Sequence, residues 1–249
     1  METQFASTIN KKYMPGAIKF LKSLKLHNPH YNYLYNFFII DNSLDKDDKT
    51  SISSIYRNVK FIDILSDDYK YNSLSNKWRD WGYNCFNRFD IFLLECDKVI
   101  FFDLDMLCFN NLDYLISIDC DFGAVQAPEE QRLDHPNEKY FDGGLMVISK
   151  KFLNKETKQS LIEISKQKYW TSDEPVLNSF FNNITWLPKK YNVLTSEYSK
   201  AKDISILQYV GHKKPWNSKN LTENFDKFIF STQGGINVIK LQYLYNSII

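Results

Sequence analysis

The chain has 249 residues, a net charge of +1 and 24% charged residues. It is long enough to bury one core, and no polyelectrolyte partner is implied. Lysines fall in short pairs rather than in a basic stripe, which argues against a nucleic-acid binder. The four cysteines form no Cys-x-x-Cys and have no His pair nearby, which excludes a disulfide framework and a zinc site.

Phe5–Ile9 opens the chain as a strand, and a helix from about Tyr13 to Leu26 follows. Ile18, Leu21 and Leu24 line one side of it, and Pro15 sits in the first turn, where its missing N–H costs little. Tyr35–Ile40 is a second strand ending at Asp41; Asp41–Ser51 is a surface loop or helix start; Val59–Ile64 is a third strand. Ser66–Lys77 is polar and loop-like, and a helix from about Tyr83 to Glu95 leads into an apolar strand at Val99–Phe102. Beyond it come a helical turn at Leu112–Ile116, a strand at Phe122–Gln126 and a charged loop at Pro128–Glu138. A Gly-Gly pair then precedes a strand at Leu145–Ile148. Helices are expected over Lys151–Lys168 and from Asp173 to Phe181. Strand–helix alternation at this spacing argues βαβ units and a largely parallel sheet within one domain, residues 1–249.

Asp97–Phe109 organises the chain. Val99–Phe102 is wholly apolar, as a strand covered on both faces should be, and it ends in Asp103 and Asp105. Ligands of α/β sheets bind at the carboxyl ends of strands. Two carboxylates this close repel unless a positive group sits between them, and a hard divalent cation carrying substrate phosphates meets that need. Capping of the next turn is the plain alternative. An aspartyl phosphatase shares the Asp-x-Asp, yet Leu107 stands where that chemistry wants Thr or Val. For Asp173 and Glu174 the plain alternative is capping in a first helical turn.

Four stretches in this order resemble glycosyltransferase family 8, most closely its glycogenin-like members. They are Arg88 through Phe109 with Asp103-Leu104-Asp105, Phe141-Asp-Gly-Gly-Leu-Met-Val, Asp173-Glu-Pro-Val-Leu-Asn-Ser-Phe-Phe, and Gln208-Tyr-Val-Gly-His-Lys-Lys-Pro-Trp. Tyr13-Met-Pro-Gly-Ala is similar to the family's nucleotide-side loop and helix. The resemblance implies a GT-A fold, a Rossmann-like mostly parallel sheet with helices on both faces, and retaining transfer from a UDP-sugar, most often UDP-glucose. It also implies Mn²⁺, or Mg²⁺, on Asp103 and Asp105. By the same resemblance Tyr13 stacks on uracil, Gly211 and Lys214 serve the diphosphate, and Arg79 and Arg88 match basic substrate-binding positions of the family, Arg88 where a Lys is common. Leu104, Asp142, Gly143 and Gly144 line the donor, and Asp173 and Glu174 lie at the reacting sugar. The acceptor, a glycan, a protein or a small molecule, is not named by the sequence, and Tyr198 lies where self-glucosylating members carry an acceptor tyrosine.

Two departures stand out. Gln208 occupies the place of the family's metal-binding His, with His212 as the nearest imidazole, and Glu174 stands where glycogenin-like members have Gln. A silent UDP-sugar or glycan binder with a decayed metal site is therefore the competing expectation. No signal-peptide pattern opens the chain and no apolar run reaches the ~18–20 residues of a membrane helix, so a cytoplasmic protein is expected. The apolar pattern of Gly235–Ile249 packs onto the domain by default, with a homodimer contact or a loose membrane touch as the alternatives.

Overall fold

The computed structural model describes residues 2–41, 43–63, 85–128, 139–167, 170, 172–210, 214–216 and 245–248. Arg79, Gly211, His212, the Ser66–Lys77 stretch, nearly all of the Pro128–Glu138 loop and most of the C-terminal apolar segment lie outside them. The described strands are β1 (Thr3–Ile9), β2 (Phe37–Asp41), β3 (Val59–Asp63), β4 (Lys98–Phe102), β5 (Met106–Cys108), β6 (Phe122–Gln126), β7 (Phe141–Ser149), β8 (Thr185–Trp186), β9 (Val193–Leu194) and β10 (Ile206–Gln208). The helices are α1 (Met14–His27), α2 (Tyr31–Leu34), α3 (Lys46–Ile55), α4 (Asp113–Ser117), α5 (Lys155–Gln167) and α6 (Asp173–Phe180).

Seven strands form the main sheet in the order β3-β2-β1-β4-β7-β6-β8, and β5-β10-β9 form a small second sheet. β1 runs parallel to β2 and β4, β2 to β3, and β6 to β8, whereas β7 is antiparallel to both of its neighbours. The architecture is therefore α/β with a mostly parallel central sheet. The side-chain period of two explains the apolar runs: Ile100 and Phe102 of β4 join Leu145 and Val147 of β7 in one core, beneath Phe20, Leu21 and Leu24 of α1. Their neighbours Val99, Phe101, Met146 and Ile148 enter a second core, with Leu161 and Ile162 of α5 and Val176 and Leu177 of α6. A strand buried on both faces reads as a near-continuous apolar run, as Val99–Phe102 does.

Local chemistry sets the helix ends. Pro15 lies in the first turn of α1, and Asp45 and Asp48 form a reciprocal capping box at the start of α3. Asn154 Oδ1 accepts from Thr157 N at 2.8 Å, so α5 begins four residues after the expected Lys151.

Three expectations need correction. The helix expected from Tyr83 to Glu95 is, over Asn87–Leu93, a 3-10 helix. Phe86, Phe89 and Phe92 recur every third residue and are all buried, which matches three residues per turn rather than 3.6. The Gly-Gly pair does not precede its strand but lies inside β7. Ala124 of β6 pairs with Met146 while the next residue, Val125, pairs with Asp142, so Gly143, Gly144 and Leu145 bulge out of that register. The small sheet was not foreseen, because strands of two or three residues carry no readable period.

Phe102 is fully buried among Phe5, Phe20 and Phe37. Phe102→Ala is expected to cost about 3–5 kcal/mol in urea unfolding, whereas Tyr33→Ala, at an exposed ring, should stay within about 0.5 kcal/mol.

Candidate active site

The site forms where β4 ends and β7 begins. Asp103 follows the last residue of β4, and its N–H donates to the Gly144 carbonyl at 2.8 Å, tying the acid to the bulge. Arg88, carried on the buried 3-10 helix, reaches the same point. Its Nη2 donates to Asp103 Oδ1 at 2.9 Å and its Nη1 to the Gly143 carbonyl at 2.8 Å. Its Nε stands 3.0 Å from Asp173 Oδ2, and the guanidinium lies 4.6 Å over the Phe101 ring. A planar fork with fixed donors suits such a junction, where a lysine would supply a single point charge. A Cβ at Gly143 would stand 2.6 Å from Arg88 Nη1, so only glycine admits the guanidinium.

Gln208 comes to the acids on β10, where it pairs with Met106 of β5. Its Nε2 donates to Asp103 Oδ2 at 3.0 Å and to Asp105 Oδ1 at 3.3 Å, while its Oε1 is buried without a partner. A side chain at Gly144 would collide with this amide. Lys214 turns inward, with Nζ 2.5 Å from Asp105 Oδ2 and bonded to the Tyr209 carbonyl. The same ammonium lies 5.7 Å from the Tyr13 ring centre. Trp216 meets Tyr13 edge-on at 5.9 Å and donates Nε1 to the Lys12 carbonyl. Leu104 sends its side chain into the core, and its carbonyl lies so close to Gly16 that a Cβ there would approach it to 2.8 Å.

The two acids of α6 do more than cap a turn. Ser172 makes no side-chain capping bond. Asp173 pairs with Arg88, and Glu174 Oε2 accepts from Gly143 N at 2.9 Å. Burial raises the Asp173 carboxyl, against the pull of Arg88 and of backbone amides in its own turn. Glu174 is pushed up to about 8, first by burial and then by the charge of Asp142. The Tyr140 hydroxyl hydrogen-bonds Glu174 and is itself raised by burial and by that carboxylate. Asp103 is pushed up to about 7 by burial, with Asp105, Asp142 and Asp173 adding to it and Arg88 opposing. Among the described residues, five carboxylates thus gather with Arg88 and Lys214 as the cations paired to them, in a mostly buried pocket.

The structure brings together nearly every described residue expected from the sequence: Asp103, Asp105, Asp142, Gly143, Gly144, Asp173, Glu174, Gln208 and Lys214, with Arg88 joining Asp103, Gly143 and Asp173. Tyr13 lies beside Lys214. Tyr198 is half-buried against the small-sheet core of Leu107, Val193 and Leu207. Sequence reasoning missed Asn178, which closes two bonds with the Phe141 backbone at the entry to β7, and it missed Tyr140 and Asn192. Asn178 was inside a quoted stretch; Asn192 stands in Lys-Lys-Tyr-Asn-Val-Leu, which carries no pattern.

A hard divalent cation fits this donor set. Among the described residues no three His, Cys, Asp or Glu side chains form a metal-holding cluster. Asp103, Asp105 and the unpartnered Gln208 Oε1 nonetheless offer oxygen donors of the kind Mg²⁺ and Mn²⁺ prefer, and the excess of buried negative charge favours a cation there.

The sequence matches the family described as Glycosyl transferase family 8 over residues 4–220. A lipopolysaccharide 1,2-glucosyltransferase of Escherichia coli is 28% identical, over 84% of this chain and 71% of that protein. A lipopolysaccharide 1,3-galactosyltransferase of Salmonella typhimurium is 25% identical, over 84% and 72%. The fold superposes on the galactosyltransferase LgtC, solved in complex with donor and acceptor sugar analogues. That comparison has a TM-score of 0.72 at 18% identity and covers 96% of this chain and 99% of that one. Among the described residues no helix is long and apolar enough to cross a membrane. With the acids of β4, the bulged glycines of β7 and the first turn of α6 gathered at one sheet edge, the chain belongs to glycosyl transferase family 8.

Proposed function

We propose that this glycosyltransferase moves a hexose, most simply glucose, from a UDP-sugar to an acceptor with retention at the anomeric carbon. The observation that carries the reading is the joining of Asp103, Asp105 and Gln208 at the end of β4, in a pocket with more buried carboxylates than cations. The names of the relatives, glucosyl- and galactosyltransferases, support a hexose donor. Asp103, Asp105 and Gln208 would hold a divalent cation, which when bound supplies Lewis-acid stabilisation to a departing diphosphate.

The chain's own groups account for the rest. Lys214, beside Asp105, is the cation nearest the place of the diphosphate. Tyr13, between Lys214 and Trp216, is placed to stack on uracil. The missing side chains at Gly143 and Gly144 let Arg88 and Gln208 close on the acids beside the donor sugar, and Asp142 and Asp173 accept from sugar hydroxyls. Glu174, held by Gly143 N and Tyr140, is the carboxylate that would stabilise positive charge at the anomeric carbon or attack it.

Calorimetric titration and turnover of a panel of UDP-sugars, with and without Mn²⁺, test the reading on wild type and Asp103→Ala. Metal-dependent binding of one UDP-hexose and its slow hydrolysis are expected, with turnover falling at least about a hundredfold in Asp103→Ala. Binding without turnover would favour a silent binder, and no binding of any UDP-sugar would refute the transferase reading. Gln208→His is expected to tighten Mn²⁺ binding about tenfold, since imidazole is a stronger donor to it than a carboxamide oxygen; titration of the metal alone measures this. Because the Glu174 carboxyl is raised to about 8, its ionised fraction grows as pH rises through that value. Turnover should rise over the same interval, and Glu174→Gln should abolish that limb of the pH–rate profile.

A further inference from the structure

Asn192 has no exposed surface, yet it makes one side-chain bond within the active site. Its Nδ2 donates to Asp142 Oδ1 at 2.8 Å, and the same oxygen accepts from Gly144 N at 2.8 Å. The amide orientation follows from this pairing, since the reversed amide would set its oxygen against a carboxylate. It leaves Asn192 Oδ1 buried with no partner, a cost the fold carries for that orientation. Asp142 Oδ2 takes no hydrogen bond from a described residue and is not among the buried atoms left unpartnered. It is the oxygen that Asn192 and Gly144 leave uncommitted.

The backbone holds Asn192 from both sides. A 3-10 helix, Lys189–Tyr191, precedes it, and Asn192 N donates to the Lys189 carbonyl at 3.0 Å. The Tyr191 ring stacks on Tyr114 at 5.5 Å, with 6° between the planes. β9 follows at once, and its Leu194 pairs with Gln208. One short turn therefore connects the carboxylate at the β7 bulge with the amide on Asp103 and Asp105. Gly144 closes the circuit, because its carbonyl accepts from Asp103 N.

We propose that Asn192 is a positioning residue for the donor sugar: it commits one oxygen of Asp142 to the protein, so that the other meets a hydroxyl of the hexose. This rests on the UDP-hexose reading above. UDP lacks the transferred hexose that would meet Asp142, so the two ligands report separately on the nucleotide and hexose parts of the site. Asn192→Leu keeps the shape of the side chain and removes the donor.

The test is titration of UDP and of the preferred UDP-hexose, with Mn²⁺, against wild type, Asn192→Leu, Asp142→Asn and the double variant. UDP affinity is expected to stay within about twofold in all four. UDP-hexose affinity should fall about tenfold in each single variant, equivalent to about 1.4 kcal/mol, and no further in the double variant, since both changes act on one contact. Should Asn192→Leu fail to fold, Asn192→Ala is titrated in its place. Unchanged UDP-hexose affinity, additive losses, or a parallel fall for UDP and UDP-hexose would each overturn the assignment. Wild-type protein that binds no UDP-hexose would overturn the transferase reading and this assignment with it.

Discussion

The guanidinium of Arg88 is the point on which the site depends. It touches the end of β4 through Asp103, the bulge of β7 through the Gly143 carbonyl, and the start of α6 through Asp173. These three elements lie far apart in sequence, and one side chain joins them. Neutral packing would not serve here, because removing the arginine would leave Asp103 and Asp173 buried without their cation. The 3-10 winding of Asn87–Leu93 follows from the same demand: it sends phenylalanines into the core every third residue and frees Arg88 to turn toward the acids.

Charge explains the rest of the arrangement. Each acid of the β4 pair already has a protein cation, Arg88 for Asp103 and Lys214 for Asp105. Asp142 and Glu174 are held by neutral donors: backbone amides, the Asn192 carboxamide and the Tyr140 hydroxyl. Among the described residues no cation bonds Asp142 or Glu174 directly, and burial raises both carboxyls. Such a site holds its acids in readiness for a cation or for a centre that becomes positive during reaction.

Much of this was legible in the sequence because it rests on short-range rules. The apolar run of β4 announces a strand covered on both faces, and the acids after it mark the sheet edge where ligands bind. Pro15 and the acids around Asp45 fix helix starts by local chemistry. What escaped notice is set by tertiary contact. β9 and β10 exist because they pair with each other and with β5. The glycines of β7 read as a turn, since nothing local reveals that Arg88 and Gln208 occupy the space a Cβ would take. Asn192 is one asparagine among many until the fold brings it to Asp142.

The strand order has a consequence for synthesis. β1, which precedes both of its neighbours in the chain, lies in the interior of the sheet between β2 and β4. Phe5 and Ala6 face Ile100 and Phe101 in register, so the N-terminal strand waits nearly a hundred residues for its second neighbour. During that interval one edge of β1 is unpaired, and closing so long a loop is slow compared with forming local turns. The nascent chain thus carries an apolar strand edge until β4 emerges, a period in which chaperone capture or mispairing competes with folding. The strand that ends this exposure is the one that delivers Asp103 and Asp105, whereas β7, α6 and β10, made later, bring the glycines, Asp173 and Glu174, and Gln208 to them.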